Sequence, residues 1–330
     1  EDAIIVGRST VEVGTAESLR NHLSSKVKKR FHIAWNPEFL SEGSAFKESF
    51  HPERIVLGVE DEVSRKALLD LYSDEIYNGA PVLTMDLSSS ELVKAAANSF
   101  LAMKISFING IAGVAESVGA NINDISIAIG LDSRIGPKFL KSGLGFGGGC
   151  LPKDTGGLAF SAASLGQNSF SRLLELTLEI NRNRVLAAKE TLLSVAAKDQ
   201  PFTVCVLGAT FKPNTDDIRG SQALELVRKL LSAGVVVHLH DPVALKKISI
   251  KHPGLKKFDS SQKAILGSQI VVLATEWEEY LRLDPGAVSN GLASRRVLDL
   301  RNALDKKAWA ASGWEILSIL PPSRTDFKVD

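Results

Sequence analysis

A proline-free run from Ser88 to Gly119, SSSELVKAAANSFLAMKISFINGIAGVAESVG, limits what this chain can fold into more than any other stretch of it. Its apolar residues fall on more than one face, Ser90 stands where an N-cap serine would, and nothing interrupts the helical pattern, so it reads as one long, largely enclosed helix. A short segment near Asn123 to Ile129 and two later ones, of which Ser171 to Val195 is the longer, extend it into a helical middle domain over residues 88–200.

Both flanks have a different texture. In residues 1–87 the β-branched runs AIIVGRSTV, FHIAWNPEF, RIVLGV and PVLTMD alternate with helical stretches at about 15–29 and 61–77. Over 201–330 the same rhythm returns, with TVCVLGATF, a helix from Ser221 to Ala233, VVVHLHDP, IVVLATE, RRVLDLRN and WEILSI. Continuous apolar runs of this kind belong to parallel strands covered on both faces, and their alternation with helices predicts an α/β chain whose C-terminal part is a doubly wound sheet. A length of 330 residues suits two domains with room for a third.

Composition narrows the function. Lys and Arg number 39 against 38 Asp and Glu, a formal charge of +1, which argues against a nucleic-acid or membrane-surface partner. Hydrophobic residues at 44% and charged residues at 23% are ordinary for a soluble globular chain. No apolar run approaches the ~20 residues of a membrane span, and the amino end lacks the basic region of a signal peptide. Two cysteines, Cys150 and Cys205, exclude a disulfide scaffold or a four-thiolate zinc site; a reducing, cytoplasmic setting and no metal are expected.

Gly143, Gly145 and Gly148 satisfy G-x-G-x-x-G, yet a helical segment rather than a strand precedes them, so they are not expected to form a dinucleotide fingerprint. Glycines there let the backbone pass close to something just before Cys150; the alternative is a flexible interdomain loop. Pro152 suits a first helical turn, which sets Cys150 at or just before a helix N-terminus, where the dipole and Lys153 favour thiolate. Asp154 is four residues on. Cys205, inside an apolar strand, is an inert core thiol by contrast. Lys94 and Asn98 are also four apart, on the long helix, and would project together as an oxyanion site. Glu38 and Glu42 share that spacing after a strand, where a doubly wound sheet places its site.

STVEVGT (9–15), NPEFLSEGSA (36–45), ELVKAAANSFLA (91–102), RIG (134–136), GFGGGCLPKD (145–154) and LGATFKPNTDDIRGS (207–221) together resemble, in order, the signatures of the nucleotide-sugar 6-dehydrogenases, the UDP-glucose and GDP-mannose dehydrogenase family. The resemblance implies a partial Rossmann domain for NAD, a central long-helix dimerisation domain and a second Rossmann-like domain that binds the sugar nucleotide. It implies an NAD-dependent four-electron oxidation, UDP-glucose to UDP-glucuronate, with Cys150 as the nucleophile that passes through a thiohemiacetal and a thioester. By the same resemblance Lys94 and Asn98 stabilise the oxyanion and hold water, Asp154 is an acid/base partner, and Thr10 and Glu38 order water near C6. Phe39, Leu40, Phe146, Gly147 and Lys212 correspond to the substrate cradle. Arg134 corresponds to an arginine lent by another subunit, which implies a homodimer or higher homo-oligomer. Arg295 corresponds to a diphosphate ligand, a part that Arg296 or Arg301 would serve as well. Glu42, Lys153 and Arg219 correspond to cofactor-side contacts. GDP-mannose oxidation and a non-catalytic sugar-nucleotide-binding module are the alternatives.

The chain departs from the family pattern at Glu12, Ser41, Gly149 and Gly220. The larger departure is that STV lies close to Glu1, whereas in the family a glycine fingerprint for NAD comes well before it. The expectation is therefore a truncated form that lacks the N-terminal part of the NAD-binding domain, with weak or no activity.

Overall fold

Every apolar run of the two flanks becomes a strand, and every one ends sooner than its sequence signal. The computed structural model describes residues 2–196, 202–289, 292 and 294–319; the domain boundary expected at 200/201 lies outside them. The chain falls into two compact units, Glu1–Phe100 with Lys153–Glu175, and Leu101–Pro152 with Leu176–Asp330.

In the first unit the strands β1 (Ala3–Gly7), β2 (Phe31–Trp35), β3 (Ile55–Gly58) and β4 (Val82–Met85) lie side by side in chain order. Helices α1 (Thr15–Ser24), α2 (Ala45–Phe50), α3 (Glu62–Leu71) and α4 (Ser73–Tyr77) connect them. β1 with β2 and β3 with β4 are parallel, whereas β2 and β3 pair antiparallel through Trp35 and Gly58. β2 stops at Asn36, whose N–H donates to Gly7 O and whose amide donates to Val56 O at 2.9 Å. Pro37 follows and has no N–H to extend the ladder. The helix expected over 61–77 breaks at Tyr72, whose hydroxyl donates to Asn36 Oδ1. Ala16, Ile33, Trp35 and Leu87 form one apolar cluster, and Ala34, Ile55, Leu57 and Leu68 form another.

The long helix α5 runs from Leu87 to Val118. Ser90, expected as its N-cap, lies inside it and returns its hydroxyl proton to Leu87 O. The helix begins earlier because Asp86 accepts from the N–H and the hydroxyl of Ser89 at 2.8 and 2.7 Å. Although no span was expected from the sequence, α5 contains an 18-residue stretch with a mean hydropathy of 1.2, by length and composition apolar enough to cross a membrane. Its polar residues argue for a protein interior instead. Glu91 is 1% exposed, and its carboxylate accepts from the N–H groups of Gly14 and Ala16 at 2.7 and 2.6 Å. Gly14 is the N-cap of α1 and has no side chain to offer, so Glu91 supplies the cap from across the unit. Further along, α7 (Leu151–Ser164) and α8 (Asn168–Ala196) contribute Leu158, Ala159 and Leu174 to a cluster with Ala95 of α5.

In the second unit, α6 (Ile122–Gly130) packs with Ile108, Ala112 and Ala115. Strands β5 (Thr203–Leu207), β6 (Val236–His240), β7 (Leu255–Lys257), β8 (Ile270–Leu273), β9 (Arg296–Asp299) and β10 (Glu315–Leu317) form one sheet in the order β10-β9-β8-β5-β6-β7. All its pairs are parallel. This is the order of a Rossmann sheet, with the topological switch point between β5 and β8. Helix α9 (Gln222–Ser232), capped by Ser221, lays Leu226, Val227 and Leu230 onto one side with Leu192 and Val185 of α8. The short helices α10 (Ser261–Ile265), α11 (Glu278–Leu281), α12 (Pro285–Val288) and α13 (Lys306–Ala311) belong to the other side, where Cys205, Tyr280, Trp309 and Trp314 cluster. β7 escaped the sequence reading because it is short and carries Lys256 and Lys257, the residues that keep an edge strand from recruiting another chain.

Leu230 is wholly buried, so Leu230→Ala is expected to lower unfolding free energy by about 2–5 kcal/mol in urea denaturation. Burial holds the imidazoles of His238 and His240 below their usual 6.5. The unfolded chain therefore takes up these protons first as pH falls through 6.5, and stability, full above that value, is lost below it. His238→Gln should flatten this acid limb in urea titrations taken on either side of 6.5.

Candidate active site

The sequence-predicted residues divide between the units. Thr10, Glu38, Phe39, Leu40, Glu42, Lys94, Asn98, Lys153 and Asp154 belong to the first; Arg134, Phe146, Gly147, Cys150, Lys212, Arg219 and Arg295 belong to the second.

In the first unit, Lys94 and Asn98 are 6% and 8% exposed, so their one-turn spacing on α5 does project both inward. Asn98 Nδ2 donates to Asp154 Oδ2 at 2.6 Å, and Lys153 Nζ lies 3.3 Å from Asp154 Oδ1. Lys94 Nζ is 5.2 Å from the Phe39 ring, which also carries the Arg54 guanidinium at 3.8 Å. Arg54 gave no signal in the sequence, because a strand-flanking arginine reads as a solvated charge. Glu38 and Glu42 do not share a helical turn as expected. Residues 36–44 are loop and turn, Glu38 accepts from the N–H of Leu40 at 2.6 Å, and α2 begins only at Ala45. The physical reason is Glu48, whose carboxylate takes the Ser41 N–H and the Ser44 hydroxyl and so sets the helix start later. Leu40 and Glu42 are exposed.

A cavity of about 220 Å³ is lined by Thr10, Glu12, Leu92, Ala95, Lys153 and Asp154 among others. That is several times the roughly 30 Å³ share of a water molecule, enough for a ring-sized group. Asp154, Lys153 and Thr10 thus meet around one space. Removing the buried partner of Asp154 is expected to matter more than removing the exposed one: Asn98→Ala should destabilise by about 1–3 kcal/mol, Lys153→Ala by about 0–1 kcal/mol, both read by urea denaturation.

In the second unit the glycine loop 143–149 follows no strand, so it is not a dinucleotide fingerprint, and it is not a loose linker either. Residues 142–148 are buried. Gly147 passes so close to the loop after β5 that a Cβ would stand 2.4 Å from Gly220 O and 3.0 Å from Phe211 Cβ. The Gly148 N–H donates to Arg219 O, and Gln222 Nε2 donates to Phe146 O, both at 3.0 Å. The loop thereby fastens to the crest of the Rossmann sheet, where Lys212 Nζ is 5.6 Å from the Phe211 ring and Arg219 forms an ion pair with Asp217 at 2.8 Å. Asp241, at the end of β6, holds the crest by accepting from the N–H groups of Ala209 and Thr210 at 2.8 and 3.2 Å.

Among the three arginines that the resemblance left open, Arg301 reaches this crest. Its guanidinium donates to Phe211 O at 2.9 Å and to Gly145 O at 3.4 Å, and Nε lies 2.9 Å from Glu276. Arg295 turns to Ser312 O and Arg296 to Glu315. Arg134 is exposed and bonds Asp132 through Nε and Nη2 at 3.0 and 2.7 Å; the following turn is held by Lys104 Nζ on Ile135 O. Cys150 stands exposed at the end of the loop, with α7 beginning at Leu151 and Pro152 in its first turn as expected. Cys205 is buried, and burial pushes its thiol far up. Among the described residues no cluster of ligands for a metal ion occurs.

A Rossmann sheet with a fastened crest at its switch point, joined in one chain to a second α/β sheet and a long helix, is the architecture of a nucleotide-binding α/β protein. Three family models match the chain: the NAD binding domain of the UDP-glucose/GDP-mannose dehydrogenase family over residues 1–76, its central domain over 88–183 and its UDP binding domain over 205–306. UDP-glucose 6-dehydrogenases of Rickettsia prowazekii and Rhizobium meliloti are each 38% identical, over 97% of this chain and 74% of theirs. The structure of a UDP-glucose dehydrogenase from the hyperthermophilic archaeon Pyrobaculum islandicum superposes with a TM-score of 0.83 at 37% identity, covering 92% of this chain and 68% of that one. The chain belongs to the UDP-glucose/GDP-mannose dehydrogenase family and is a nucleotide-sugar dehydrogenase that uses NAD. The expectation that it lacks the N-terminal part of the NAD-binding domain is not borne out: the NAD binding domain model matches residues 1–76.

Proposed function

We propose that this enzyme oxidises UDP-glucose at C6 to UDP-glucuronate through a covalent intermediate on Cys150. The observation that carries the reading is an exposed thiol at the end of a buried loop, a loop fastened to the crest of the UDP binding domain. An inert cysteine is placed as Cys205 is; a nucleophile needs an accessible sulfur on a rigid support.

NAD, when bound, accepts the hydride in each of two oxidations at C6. Thr10, Lys153 and Asp154 line the cavity that suits its ring, and the Lys94 ammonium offsets the negative charge that develops on the C6 oxygen. Once the alcohol is an aldehyde, the Cys150 sulfur adds to the carbonyl carbon, giving a thiohemiacetal. Loss of its C6 hydride gives the thioester, and water adds to that carbonyl and expels the thiolate. Asp154, held by Asn98 and partnered by Lys153, moves the proton between water and the C6 oxygen, and Glu38 and Thr10 order the water. Phe146, Gly147, Lys212 and Arg301 hold the nucleotide on the crest of the second unit; by the family resemblance Phe39 and Leu40 are sugar contacts, and Glu42 and Arg219 are cofactor contacts.

We assign a homodimer to the apolar row Phe107, Val114 and Val118 on α5, 57%, 62% and 73% exposed at helical spacing, with the exposed Arg134 offered to the partner. The free thiols suit the cytoplasm. Turnover of UDP-glucose should yield two NADH per acid, with GDP-mannose a poor substrate. Cys150→Ser should lower acid formation at least 1000-fold, a loss of the order seen when a nucleophile is removed; unchanged acid formation would exclude the covalent route.

A further inference from the structure

The glycine loop is pinned at Phe146 by a residue to which no motif points. Asn181 of α8 is 3% exposed, and its carboxamide meets both polar groups of Phe146: Oδ1 accepts from the Phe146 N–H at 2.7 Å, and Nδ2 donates to Phe146 O at 2.9 Å. A side-chain amide paired with both groups of one residue copies the bonding of a neighbouring strand and fixes that residue in rotation as well as in place. Gly145 has φ of +110°, and a Cβ there would stand 2.3 Å from Asn181 Oδ1. The glycine is thus required by the clamp itself. One turn along α8, Arg184 extends the same hold: its Nε lies 3.3 Å from Gly143 O while Glu116 takes its other two nitrogens at 3.0 and 2.9 Å.

We propose that Asn181 is a positioning residue for Cys150, whose carboxamide clamp on the Phe146 peptide fixes the conformation from which the thiol is presented. The proposal rests on the reading of Cys150 as nucleophile. Phe146 is four residues before the sulfur, and the segment between them is Gly147, Gly148 and Gly149, which has no side chains to hold a shape of its own. The Gly148 N–H is held by Arg219 O, and the clamp at Phe146 fixes the backbone upstream of that point, so the two together set the path of the chain to Cys150.

Two variants of the full chain separate positioning from simple support of the fold. Asn181→Asp keeps the shape and the acceptor for the Phe146 N–H but cannot donate to Phe146 O; Asn181→Ala removes both arms. Each should lower kcat for acid formation tenfold or more with KM for UDP-glucose changed less than threefold. In Asn181→Ala, hydrogen exchange over residues 143–150 should quicken at least tenfold while β5 and β8 keep their protection. Two results would overturn the proposal: kcat within twofold of the parent in both variants, or exchange that quickens equally across the sheet, which would make Asn181 a support of the fold alone. Cys150→Ser, assayed beside them, keeps the two readings apart. If it still forms acid, the nucleophile assignment fails; if it is dead while both Asn181 variants are fully active, the positioning role alone fails.

Discussion

A backbone without side chains, laid against another backbone, is the constraint on which the second unit depends. Gly147 and Gly220 approach closer than any Cβ allows, and the Phe146 peptide beside them is claimed by Asn181 on one side and Gln222 on the other. Close packing of this kind turns a glycine-rich stretch, the most flexible sequence an unfolded chain can offer, into a buried part of the fold. The conformational entropy lost is large, and polar contacts from α8, α9 and Arg301 offset it. A loop held this way presents its last residue to solvent from a fixed support.

In the first unit the corresponding part is played by a polar row on α5. Glu91, Lys94 and Asn98 follow at intervals of three and four, so they share one face of the helix, and all are buried. Each burial would be costly alone. Glu91 is satisfied by the open end of α1 and Asn98 by Asp154, while the Lys94 ammonium stands near the Phe39 ring. The row ties the chain after β1, the loop after β2 and the start of α7 to a single rigid rod. The rod is long and apolar enough to pass for a membrane span, and its three buried, partnered polar residues are those of a helix packed inside a protein.

Much of this was legible in advance because it is local. Runs such as TVCVLG and IVVLAT can only be covered strands, Pro152 can only open a helix, and four-residue spacings on a long proline-free helix fix which residues share a face. Errors arose where a neighbouring side chain competed for the same backbone groups. Ser90 lost the cap to Asp86 one turn earlier, and the Glu38–Glu42 spacing meant nothing because Glu48 delayed the helix.

Order along the chain therefore determined the α/β character, the long helix and which polar side chains share its buried face, because periodicity and residue type act over a few neighbours. Only tertiary structure decided that Arg301 rather than Arg295 reaches the crest, that Asn181 clamps the glycine loop, and that Glu91 caps a helix from 75 residues away. These are pairings between stretches with no shared spacing, and nothing in one stretch records where the other comes to rest.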